Sequence, residues 1–375
     1  MNRIRDYRFD RDQLQITWED GAISELMALW LRDHCQMPSS RNPANGQRLL
    51  NITDIPEDIG IIGVQLDGQR LRVEFEPGGH LSDFDLDWLR GNCYCLNPQR
   101  DDRSASAKQL WDGASFEQGL PRHGYSAFRE DSDARRNALA AVRDVGFVIL
   151  EGVDPVPGEV LRVIAEFGYV RETNYGPLFD VRTTVDPNNL AFTNLGLGCH
   201  LDNPYRDPVP GLQLLHCLES STTGGESILQ DGFRAAEVLR DENPGHFELL
   251  SRNWINFRFR DSGADLQSRV PFIEINDRDE VVKVRFNNRS IDTLKLPPGT
   301  LREFYPAYRH YAEILEREAL QISFKLDAGE LMLFDNTRIL HARKAYSDSG
   351  TRHLQGAYSD LDGLYSCLRT LEANT

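Results

Sequence analysis

The stretch "ELMLFDNTRILHARKAY", residues 330–346, holds two short apolar runs broken by the polar residues DNTR. Runs of this length, bounded by turn residues, read as buried strands rather than helices. Outward from it the same texture recurs. The runs LAFTNLG (190–196), GLQLLHCL (211–218), SILQ (227–230), INFRFR (255–260), VVKVRFNN (281–288), ISFKL (322–326) and TRHLQGAYSD (351–360) are separated by turns. Many short strands with few long helices predict a mainly β protein with flanking helices, and a jelly roll is the common architecture of this kind that encloses a site.

Upstream, DSDARRNALAAVRDVGFVILEGV (131–153) predicts an amphipathic helix leading into a buried strand, and GEVLRVIAEFG (158–168) a second helix. Nearer the N-terminus, LQITW (14–18) precedes a turn at Asp20-Gly21. Two alternating runs then flank Asp67-Gly68, a hairpin signal. The predicted organisation is a small β-rich N-terminal domain over 1–98, a polar linker over 99–128 and a double-stranded β-helix domain over 129–375.

The chain of 375 residues carries 42 basic and 58 acidic residues, a formal charge of -16. That balance excludes sequence-independent DNA binding, which needs clustered Lys and Arg, and no nucleic-acid partner is expected. No run approaches a membrane span and the first residues are polar, so a cytoplasmic protein without a membrane partner is expected. Six thinly spread cysteines suit reduced thiols.

Two histidines are followed two residues later by an acid, where composition alone gives about one. His246-x-Glu248 starts a helix-like segment, where residues two apart do not share a face. His200-x-Asp202, in "GCHLDNPYRD" (198–207), lies between strand-like runs and can direct both side chains one way. A third ligand is needed, and His341 in the opening stretch is the candidate. Two histidines and one carboxylate form the facial triad that leaves positions open on Fe(II). Arg352 follows His341 by eleven residues, and a strand over 351–358 would align it with Leu354, Gly356 and Tyr358. Its guanidinium fork suits a carboxylate.

This order, His200-x-Asp202, "GLQLLHCLESSTTGGES" (211–227), "LMLFDNTRILHARKAY" (331–346) and Arg352, resembles the Fe(II)/2-oxoglutarate dioxygenases of the taurine dioxygenase type. It is most similar to their γ-butyrobetaine and trimethyllysine hydroxylase branch, from "LWLRDHC" (29–35) to "RHLQGAYSDLD" (352–362). The resemblance implies an enzyme in which His200, Asp202 and His341 hold Fe(II), Arg352 pairs with the far carboxylate of 2-oxoglutarate, and Leu215 and Ser227 frame that co-substrate. Dioxygen is the oxidant, and a methylene C–H of a small trimethylammonium zwitterion is hydroxylated. An aromatic cage for the ammonium maps to Tyr175, Phe179, Phe192 and Tyr358, and amides for the other end map to Asn189 and Asn287. Asn203 and Tyr205 stand beside the metal ligand. The branch implies a homodimer.

Two departures stand out. Arg289 replaces a small residue two positions after Asn287; placed on one strand face, it would suit 2-(trimethylammonio)ethylphosphonate. γ-Butyrobetaine, another betaine or trimethyllysine is the alternative. The branch's structural zinc would use Cys35 and His80, but Met37 and Ser40 occupy the other ligand positions. Cys93 and Cys95 lie nearby in sequence; the expectation is a zinc-free domain.

Overall fold

The computed structural model describes residues 2–96, 105–182, 195–347 and 350–374. The chain forms two compact units, Met1–Arg100 and Asp101–Thr375.

The first unit contains two three-stranded antiparallel sheets. One is Ile4–Phe9, Gln13–Trp18 and Ile23–Met27; the other is Gly60–Asp67, Arg70–Glu76 and His80–Asp85. Alternation along Gln13–Trp18 buries Leu14, Ile16 and Trp18 on one face. The hairpin pairs Asp67 with Arg70, and Gly68 takes the left-handed conformation its turn requires, at φ 58°.

The second unit is a double-stranded β-helix. Its larger sheet runs in the order Arg122–Gly124, Phe147–Glu151, Glu330–Asp335, Leu212–Ser220, Arg352–Ser359 and Phe179–Val181. The smaller one runs Leu197–His200, Ile339–Arg343, Ser227–Asp231 and Gln321–Phe324. From Leu197 to Ser220, and again from Gln321 to Ser359, successive strands alternate between the two sheets. That alternation brings residues distant in sequence to one interior.

The opening stretch is one such crossing. Glu330–Asp335 lies in the larger sheet, Ile339–Arg343 in the smaller, and the turn between them is buried. Arg338, fully buried, closes on Asp231 at 2.7 Å and donates to the carbonyls of Gln109 and Asp144. Removing one partner would strand the other's charge, at a cost of about 3–5 kcal/mol.

Helix Ser132–Val145 starts on Asp131, whose carboxylate accepts from the Asp133 and Ala134 amides. Its apolar face, Ala138, Leu139 and Val142, covers the outer side of the larger sheet against Val148, Leu150, Leu331 and Leu333. Helices Pro298–Leu315 and Leu361–Ala373 were not foreseen from the strand texture.

Residues 105–128 correct the linker expected over 99–128. Trp111 is buried, its indole donates to the Val145 carbonyl at 2.8 Å, and it packs on Phe147 and Phe116. Arg122–Gly124 adds a parallel edge strand. Polar composition concealed two anchoring aromatics, Trp111 and Phe116, and a strand too short to show a period.

Candidate active site

His200 ends the strand Leu197–His200 and is the register partner of His341 on Ile339–Arg343. Asp202 lies just beyond, in the turn. Its backbone is gripped by the opening stretch: Asn336 Oδ1 accepts from the Asp202 amide at 3.1 Å, and Asn336 Nδ2 donates to the Asp202 carbonyl at 3.1 Å. Asn287 Nδ2 donates to the Leu201 carbonyl between the two at 3.0 Å.

The ligand atoms of His200, Asp202 and His341 lie within 4.8 Å of one another. Asp202 Oδ1 is 3.5 Å from His200 Nε2 and 3.8 Å from His341 Nε2. His200 Nδ1–H donates to the Gly198 carbonyl at 2.9 Å, which fixes the tautomer with a lone pair on Nε2. Burial pushes the His341 imidazole down to about 3, aided by His200, so it is neutral as a ligand must be. Its Nδ1 is buried with no hydrogen-bond partner among the described residues. Burial opposes ionisation of Asp202, but His200, His341 and Tyr358 outweigh it and hold the carboxyl well below its usual range. Two imidazoles and one carboxylate oxygen converging on one point fit a divalent iron with open positions.

These residues line a cavity of about 490 Å³. Arg352, Leu215 and Ser227 are among the residues that line it. Arg352 is 9% exposed, and its Nη1 has no hydrogen-bond partner among the described residues, a buried cationic fork open to an incoming anion. Burial, then Arg343, draws its pKa down to about 10. Gly225, at φ 76°, gives it room: a Cβ there would meet Arg352 Cδ at 3.1 Å.

Aromatic rings form a wall. Phe179 stacks on Tyr358 at 5.0 Å, Tyr175 lies 6.4 Å from Phe179, Phe259 6.1 Å from Tyr175, and Tyr205 stacks on Phe259 at 5.1 Å. A side chain on Gly356 would collide with the Phe179 ring, so a glycine there is what admits it. Asn203, buried at φ 55°, accepts from the Tyr205 hydroxyl at 2.9 Å.

Tyr175, Phe179, Asn203, Tyr205, Asn287, Arg289 and Tyr358 all line this cavity, whereas Asn189 and Phe192 lie outside the described residues. Arg289 does not share a strand face with Asn287. Asn288–Ser290 is a 3-10 turn capped by Asn287, whose Oδ1 accepts from the Arg289 amide at 3.2 Å, so no strand face aligns the two. Arg289, exposed to solvent, also lines the cavity. Other lining residues went unread, among them Phe259, in an INFRFR run read only as a strand, Gln213, and Arg343. Each is indistinguishable from core or surface filling until the fold places it.

In the first unit His80 Nε2 is 3.4 Å from Cys35 Sγ, and Cys93 Sγ is 2.7 Å from Cys95 Sγ. Among the described residues, the only cluster of three or more metal-ligating groups is the one at His200. No helix among them is long and apolar enough to cross a membrane.

Fold and site together define a 2-oxoglutarate-dependent dioxygenase, which uses Fe(II), 2-oxoglutarate and dioxygen. Residues 113–358 match the taurine catabolism dioxygenase TauD, TfdA family, and the chain belongs to it. Residues 6–76 match the gamma-butyrobetaine hydroxylase-like N-terminal family. The chain is 36% identical to a gamma-butyrobetaine dioxygenase of Pseudomonas sp. (strain AK-1), covering 96% of this chain and 94% of that one. It is 33% identical to the human gamma-butyrobetaine dioxygenase over the same shares, 96% and 94%. A trimethyllysine dioxygenase of Meyerozyma guilliermondii is 29% identical, covering 97% of this chain and 94% of its own.

Proposed function

We infer that this enzyme hydroxylates a methylene C–H of a small trimethylammonium zwitterion, and that 2-(trimethylammonio)ethylphosphonate is the favoured substrate. The observation that carries the reading is the aromatic wall ending at the metal-ligand cluster. A quaternary ammonium cannot donate a hydrogen bond, so ring faces must supply its attraction, and Tyr175, Phe179 and Tyr358 offer them. The relatives named for γ-butyrobetaine and trimethyllysine support the same ligand class.

His200, Asp202 and His341 would hold the iron. Bound there, Fe(II) with 2-oxoglutarate and dioxygen supplies oxidative decarboxylation to succinate and carbon dioxide coupled to insertion of one oxygen atom into a C–H bond. Arg352 orients the co-substrate by its far carboxylate, between Leu215 and Ser227. The rings fix the ammonium and exclude water, so the adjacent methylene faces the cluster.

Arg289 supports the phosphonate. Its guanidinium has no hydrogen-bond or ion-pair partner among the described residues and lines the cavity, and a planar donor fork suits phosphonate oxygens. The names of the relatives favour a second reading, γ-butyrobetaine or another carboxylate betaine, with Asn287 toward the carboxylate. Assaying both compounds for succinate and hydroxylated product separates the two; turnover of γ-butyrobetaine with none of the phosphonate contradicts the first. The first unit is proposed to fold without zinc, and metal analysis returning about one zinc per chain contradicts that.

A further inference from the structure

Asp202 lies two residues beyond the end of strand Leu197–His200, so no ladder sets its side chain. Asn336 holds only its backbone. Its carboxylate is instead fixed by two side chains on neighbouring strands. Gln213 and Tyr358 are register partners, and both reach one oxygen: Gln213 Nε2 donates to Asp202 Oδ2 at 2.8 Å and the Tyr358 hydroxyl donates to the same atom at 2.8 Å. Oδ1 faces the two imidazoles.

We propose that Gln213 is a positioning residue for Asp202, sharing with the Tyr358 hydroxyl the task of occupying Oδ2 so that Oδ1 alone is offered to the iron. The inference rests on the reading of Asp202 as an iron ligand. An ionised carboxylate only accepts, so the amide nitrogen must face it. Gln213 is 1% exposed and its Oε1 has no partner among the described residues, so Asp202 is its one side-chain contact by hydrogen bond. An unheld Oδ2 would be free to turn toward the metal and take a position that the co-substrate or dioxygen needs.

The two clamp residues differ in a testable way. Tyr358 also presents its ring to the wall, stacked on Phe179, and so ties substrate contacts to the iron ligand. Tyr358→Phe keeps the ring and loses the hydroxyl, whereas Gln213→Leu removes the amide and with it the hydrogen bond to Asp202 Oδ2.

The test is an anaerobic titration of the apoenzyme with Mn(II), followed by electron paramagnetic resonance without 2-oxoglutarate, alongside the ratio of hydroxylated product to succinate in the Fe(II) enzyme. Gln213→Leu and Tyr358→Phe are each expected to weaken Mn(II) binding about tenfold and to lower the product-to-succinate ratio. Asp202→Ala is expected to lose Mn(II). If Gln213→Leu does not fold, Gln213→Met retains the side-chain length. Wild-type Mn(II) affinity and coupling in the folded Gln213 variant, with Asp202→Ala defective, overturns the proposal alone. Wild-type Mn(II) affinity in Asp202→Ala overturns the ligand reading beneath it.

Discussion

His200 and His341 face each other in register across two antiparallel strands, with ring centroids 4.3 Å apart. They are 141 positions apart in the chain and meet because Leu197–His200 and Ile339–Arg343 are neighbouring strands of the smaller sheet. Alanine at either, or at Asp202, should abolish stoichiometric Fe(II) binding and reduce succinate formation by at least about a hundredfold. Iron content and uncoupled 2-oxoglutarate turnover check this.

Arg352 is a fork rather than a point charge. Arg352→Lys should therefore still raise the KM for 2-oxoglutarate, by about tenfold, and Arg352→Ala by more. Gly225→Ala should act in the same direction, because its Cβ would crowd Arg352 Cδ at 3.1 Å in a left-handed backbone. Metal affinity measured without 2-oxoglutarate should be unchanged in the arginine variants.

The wall and Arg289 should separate by substrate end. Phe179→Ala should raise the KM of every trimethylammonium substrate about five- to thirtyfold. Arg289→Ala should raise that of the phosphonate more than that of γ-butyrobetaine, leaving the KM for 2-oxoglutarate unchanged. Steady-state kinetics on both substrates provides the comparison.

Away from the site, Arg317 and His310 hold the Glu242 carboxyl down to about 2 through hydrogen bonds, the Arg317 Nη2 contact being 2.9 Å. A folded-state value below the ordinary 4.5 means that its contribution is present above pH 4.5 and is lost as pH falls toward about 2. The denaturation midpoints of wild type and Glu242→Gln should differ most above pH 4.5 and converge below it.

The sequence made the strands of the second unit legible because their apolar runs are short and sharply punctuated. The iron-ligand trio emerged from spacing joined to a family resemblance, since His200-x-Asp202 alone is no rarer than chance. Gln213 escaped because a glutamine inside GLQLLHCL carries no sign of its partner, and Asp202 meets it only once Leu212–Ser220 lies beside the turn. Arg289 was reached by a wrong route: strand alternation was assumed where Asn287 caps a 3-10 turn. Trp111, Phe116 and Arg122–Gly124 were hidden in a stretch whose Gly, Pro and charge suggested a linker.

The most direct measurement is turnover of 2-(trimethylammonio)ethylphosphonate and γ-butyrobetaine under labelled dioxygen with Fe(II) and 2-oxoglutarate. Products are weighed by mass spectrometry and succinate is counted alongside. Incorporation of one labelled oxygen atom into a trimethylammonium substrate, with one succinate per product and loss of both in Asp202→Ala, is the predicted result. Succinate formation that neither compound stimulates, or hydroxylation that survives in Asp202→Ala, would contradict it.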